Sequence, residues 1–150
     1  MTMGLEPHYA RLKGAWLKGN RDREAALNLM FHAWMHWADP SFVTGLNDDP
    51  DALRIWHEIY DHFGGTEASD DEFLFVAQIM ATVTPWALGD ESVWSHKAAA
   101  LSQRLKALRS SMLEPTIFEG RGEYGRYFAH QIRSAQALRT TTKRHDCSAL

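Results

Sequence analysis

One cysteine, Cys147, occurs in 150 residues, so no intrachain disulfide can form and a reducing, cytoplasmic compartment is expected. No apolar run is long enough to cross a bilayer. The longest, Phe73–Leu88, is broken by Gln78, Thr82, Thr84 and Pro85, and no membrane partner is expected. The opening stretch, MTMGLEPHYARLKG, has no apolar targeting core. β-Branched residues are few, and no stretch alternates apolar with polar, which argues against a sheet. Bases are scarce through the middle of the chain: from Asp39 to Glu91 there are twelve acids and one base, Arg54.

The skew is internal, since the whole chain carries a formal charge of only -3. Residues 1–96 sum to -9 and residues 97–150 to +6. Acidic and basic helices packed side by side would partly cancel. An acidic face left exposed would instead attract a basic partner. The apolar fraction of 45%, with six Trp, seven Phe and four Tyr, fits a globular chain with a substantial core.

Helical periodicity runs throughout. A first helix over about 6–18 has the stripe Leu5, Tyr9, Leu12, Trp16. Gly19–Asn20 breaks it, and Asn20 or Asp22 caps a second helix over about 23–38. That helix is apolar nearly all round, which places it centrally. The segment 40–48, with Phe42, Val43 and Leu46, is expected to fold back over the core. Asp49 with Pro50 starts a third helix that Gly64–Gly65 stops. Ser69 with Glu72 fits a capping box for a fourth helix over about 73–83, again apolar nearly all round. Pro85 kinks or ends it. Asp90 caps a fifth helix over about 91–112. A sixth is expected over about 123–138. The expected fold is therefore an all-α, single-domain bundle of about six mostly antiparallel helices over 1–139. The second and fourth helices are central, and 140–150 is a flexible tail.

Three constellations bear on function. Glu24, Asn28, His32 and His36 recur every four residues and so share one helical face. His32 and His36 suit a metal ion, with His57, Asp61 or His62 as a further ligand. The zincin pattern fails at Ala33, and the stripe reads better as the wet side of an apolar helix. No cofactor or metal is therefore assigned. Clusters Asp48, Asp49, Asp51 and Asp70, Asp71, Glu72 surround helix starts, where acids favour the dipole. The stretch Phe118–Phe128 interleaves Gly120, Gly122 and Gly125 with Arg121 and Arg126 among four aromatics. Arginine forks bind carboxylate or phosphate, so this turn is a candidate anion or partner site. No motif specifies a nucleophile with its base and oxyanion donors.

The leading functional expectation is a non-catalytic protein-interaction module. One concrete form is an acidic inhibitor or immunity-type protein that binds a basic partner. Its candidate binding residues are Arg121, Arg126, Tyr124 and Arg133 in the Gly-Arg turn and last helix, and Glu58 and Asp61 on the acidic third helix. The alternatives are a metal-binding or enzymatic bundle using His32 and His36, and nucleic-acid or anion binding through the Gly-Arg turn and the basic fifth and sixth helices. The overall acidity counts against nucleic acid.

Overall fold

The computed structural model describes residues 7–38, 49–109 and 111–148, with side chains to residue 137. The expectations for Leu5, Asp39, Asp48 and the segment 40–48 lie outside these residues. All regular structure among the described residues is helical, so the all-α class holds. In order the α-helices are α1 (Pro7–Leu17), α2 (Arg23–Ala38), α3 (Ala52–Phe63), α4 (Asp71–Val83), α5 (Pro85–Leu88), α6 (Glu91–Leu108) and α7 (Gly122–Ser148). Short 3-10 turns occupy Gly65–Glu67 and Pro115–Phe118. No helix among these residues is long and apolar enough to cross a membrane. The chain divides into two compact units, Met1–Arg109 and Ser110–Leu150.

Local signals set most of the helix ends. Asp22 accepts the Ala25 N–H at 2.9 Å and so caps α2. Asp49 accepts the Asp51 N–H at 3.1 Å, which organises the turn before α3. Gly64, at φ 106°, closes α3 and returns its N–H to Asp61 O. Asp90 accepts the Val93 N–H at 3.0 Å and caps α6. At α4 the expected capping box is displaced by one residue. Asp70, not Ser69, accepts the Phe73 N–H. Glu72 reaches across to Arg23 of α2 instead of back to the cap. The fifth expected helix ends at Leu108 rather than 112, because Arg109 is extended and bonds Asp71 of α4. The last helix runs on to Ser148. Its apolar stripe fades after Ile132, but no Gly or Pro follows Gly125 to stop it before Ser148.

Within the first unit consecutive long helices alternate in direction. Tyr9 near the start of α1 stacks on His36 near the end of α2. Trp56 of α3 meets Met80 of α4, and Phe63 meets Phe73. Arg109 at the end of α6 pairs with Asp71 at the start of α4. The helices therefore form two sets. In one, α1, α3 and α6 are linked through Trp16–Glu58 and Trp56–Trp94. In the other, α2 and α4 run parallel and are tied at both ends. Arg23 pairs with Asp70 and Glu72 at one end. The Trp34 indole donates to Thr84 Oγ1 at 2.8 Å at the other.

Both helices of that second set bury most of their residues, as an all-round apolar sequence requires. Phe73, Leu74, Val76, Ala77 and Met80 of α4 are fully buried, as are Leu27, Met30 and Ala33 of α2. The second unit has its own aromatic cluster. Phe118, Tyr124 and Phe128 lie with ring centroids 5.2–6.0 Å apart, all but inaccessible to solvent.

Trp34 is 5% exposed, and its indole bond joins α2 to Thr84. Trp34→Ala is expected to lower stability by about 3–5 kcal/mol in a denaturant melt. A loss under about 1 kcal/mol would mean that α2 and α4 are not packed as described.

Candidate functional site

The histidine stripe of α2 is not a wet side. Glu24 is exposed and Asn28 half-buried, but His32 and His36 are 7% and 1% exposed. Helix α1 covers them. His8 meets His32 edge-on at 5.0 Å, and Tyr9 stacks on His36 at 4.2 Å with planes 19° apart. The expectation of a solvated stripe fails because a second helix lies against this face. Period alone does not distinguish a wet polar stripe from a polar seam between helices. Nor do the other proposed ligands gather there. His57 Nε2 lies 2.7 Å from the Leu88 carbonyl, and His62 packs edge-on against Trp16. Among the described residues no three His, Cys, Asp or Glu side chains are grouped to hold a metal ion.

Beside this seam lies the strongest polar cluster of the first unit. Asp49, 3% exposed, accepts the Tyr9 hydroxyl at 2.6 Å and Lys13 Nζ at 3.0 Å. Lys13 also reaches Asp51 at 3.1 Å. Burial opposes ionisation of Asp49. Hydrogen bonds from Tyr9, Lys13 and the Asp51 N–H, with the Lys13 charge, outweigh it and hold the carboxyl below its ordinary range. Burial, and then the bond to Asp49, push the Tyr9 phenol far up. Every group in the cluster is thus matched to a partner. It ties α1 to the start of α3.

The other acids of the central stretch are largely spoken for. Glu58 accepts the Trp16 indole at 2.9 Å and Arg54 at 2.8 Å. Asp70 and Glu72 take Arg23, and Asp71 takes Arg109. Asp61 is exposed. The two acid clusters at the starts of α3 and α4 sit at opposite ends, as antiparallel packing requires. Six of the ten described acids from Asp49 to Glu91 are in ion pairs, but only Asp71, through Arg109, pairs with a base of the net-positive segment 97–150, so the skew between the two halves is not cancelled by these pairs.

In the second unit the Gly-Arg turn docks one element on another. Gly120 and Gly122 adopt φ of 73° and 70°, a region that disfavours any side chain. A Cβ added at Gly125 would collide with the Phe118 carbonyl oxygen. Arg121 donates to Ile117 O at 3.1 Å and lies over the rings of Phe118 and Tyr124, at 5.6 and 5.2 Å. Tyr124 itself is fully buried, while Arg126 and Arg133 are exposed. Of the four candidates here, only those two arginines face water broadly. Glu58 and Asp61 belong to the other unit.

The surface that sequence reasoning missed is an apolar end of the first unit. Because α2 and α4 are parallel, both end there. The Trp37 indole donates to Ala87 O at 2.7 Å, which sets it against α5. Trp37 is 41% exposed, Val83 53% and Trp86 58%. Val93, in the first turn of α6, is also exposed, and so are Asp90 and Glu91 just before it. Pro85 carried the signal. It ends α4, so the PWAL turn that follows turns Ala87 and Leu88 inward and Trp86 outward. Nearby, a shallow cleft of about 300 Å³ between α4 and α6 is lined by Gln78, Thr82, Ser95, Ser102 and alanines, with no ionisable group.

The chain matches no protein-family model, and no curated protein or solved structure matches it significantly.

Two stability measurements check these assignments. Asp49→Asn is expected to cost about 1–3 kcal/mol at neutral pH, since Tyr9 and Lys13 lose a buried charged acceptor. Asp49 stays ionised to lower pH when folded than when unfolded. Its contribution is therefore full above the ordinary carboxylate pKa and is lost as pH falls through the lowered folded value. Parallel melts of mutant and wild type should converge in acid; a gap that widens there would contradict the cluster. In the second unit, Gly125→Ala should destabilise by more than about 1 kcal/mol, while Arg126→Ala and Arg133→Ala stay within about 0.5 kcal/mol of wild type. Equal melts for all three would remove the docking role of the turn.

Proposed function

We propose that the chain is a non-catalytic, cytoplasmic protein-interaction module that engages a basic protein partner. An inhibitor of a cationic enzyme is one concrete form. The observation that carries this reading is the apolar end of the first unit, where two tryptophans and a valine are each at least 41% exposed around α5. Single exposed apolar side chains are ordinary on a folded protein. Large ones grouped at one end, and tryptophans above all, are what partner surfaces use. The acidic third-helix face has less support, because Glu58 is already bonded to Trp16 and Arg54. Exposure of Arg126 and Arg133 on α7 leaves the Gly-Arg region as the competing surface.

A photo-crosslinking amino acid placed in the native host at 86, at 61 and at 126 separates the three surfaces. The expected outcome is one discrete protein adduct from position 86, and none at 61 or 126. An adduct formed only at 126 would move the function to the second unit. Adducts at none of the three would remove the interaction reading.

A further inference from the structure

We infer that the apolar end binds a cationic amphipathic segment of the partner, with a Lys or Arg side chain seated on the open face of Trp86. This rests on the protein-interaction reading and adds the chemistry of the partner. Three observations carry it.

The first is a pattern within the chain. Two other tryptophans already hold a cation on their rings. Arg21 lies 3.6 Å from the centroid of Trp16, and Lys97 lies 4.5 Å from that of Trp94. Trp86 is the most exposed tryptophan, and among the described residues no cation lies over it. An open indole face is the best aromatic site for a cation.

The second is charge. From residue 55 to residue 96 the sequence contains no Lys or Arg. The exposed residues that follow Trp86 include Asp90 and Glu91. Asp90 uses one oxygen to cap α6, while Glu91 is in no ion pair among the described residues. A partner with Lys or Arg meets carboxylates here; the next base along the chain, Lys97, one turn from Val93, lies over the rings of Trp94 and Tyr60. An acidic segment would meet repulsion.

The third is the apolar area beside these charges. Val83, Trp86 and Val93 are exposed within eleven residues of chain, and Trp37 is held next to α5 by its bond to Ala87 O. Aliphatic side chains spaced between the bases of an amphipathic segment would cover that area, while the bases reach Trp86 and Glu91.

The six indole N–H groups give site-resolved signals in a nitrogen–proton NMR spectrum. The probes are three synthetic amphipathic peptides of one length, built from Leu with Lys, Leu with Glu, and Leu with Gln. The Leu/Lys peptide is expected to shift the Trp86 and Trp37 indole signals, and to leave Trp34 and Trp56, which bond Thr84 and Met80, in place. Trp86→Ala should weaken that binding by about tenfold or more at an unchanged melting temperature. Trp86→Leu keeps apolar area but loses the ring face, and should weaken it several-fold. Glu91→Gln should flatten the dependence on salt. The inference is overturned if the Leu/Glu or Leu/Gln peptide binds as tightly, if Trp86→Leu binds like wild type, or if the Leu/Lys peptide leaves the Trp86 signal unmoved. A protein adduct at position 86 combined with any of these results would keep the interaction reading and discard the cationic segment. Loss of the adduct would discard both.

Discussion

Two helices without a wet side dictate the architecture. Helices α2 and α4 are apolar around most of their circumference, so each needs neighbours on several sides. The solution is to run them parallel and join them through side chains, with α3 packed along α2, α6 along α4, and α1 on the remaining face of α2. Parallel alignment follows from the connectivity, because α3 reverses the chain once between them. The ties at the two ends differ in kind. Arg23 with Asp70 and Glu72 is a partly exposed charge network, screened by water and salt. Trp34 with Thr84 is a buried bond set within apolar contact. Burial of the Trp34 ring takes apolar area out of water, and the bond to Thr84 offsets the desolvation of its N–H.

The polar groups that looked chemically promising are consumed in joining elements. Tyr9, Lys13 and Asp49 fasten α1 to the start of α3, and His36 fills the seam beneath Tyr9. Exposed among the described residues are charged side chains such as Asp61, Glu91, Arg126 and Arg133, and the apolar Trp37, Val83 and Trp86 at the ends of α2 and α4 and on α5.

Much of the fold was legible in the sequence because its helix ends carry explicit chemistry. Asp22, Asp90, Gly64 and Pro85 each do what their residue type does best. The displaced cap at Asp70 shows where local pattern gives out. Glu72 had two uses, and a cationic side chain 49 residues away decided between them. The histidine stripe failed for the same reason. Spacing shows that His32 and His36 share a face, and only tertiary packing shows that α1 lies on it. The Gly-Arg turn was recognisable as a special backbone. That it clamps Phe118 against the start of α7 depends on one close approach at Gly125, which no composition reveals. The exposure of Trp86 was hidden by its own residue type, since a tryptophan in an apolar run reads as core.

The parallel pairing of α2 with α4 also sets an order of assembly. The hairpins α1–α2 and α3–α4 close between neighbours in sequence, and such closures are fast. Trp34 to Thr84 and Trp37 to Ala87 each join residues 50 apart, and they can form only once α3 has turned the chain back. Making that end of the bundle closes a loop of 50 residues, so it comes together only when the whole first unit does.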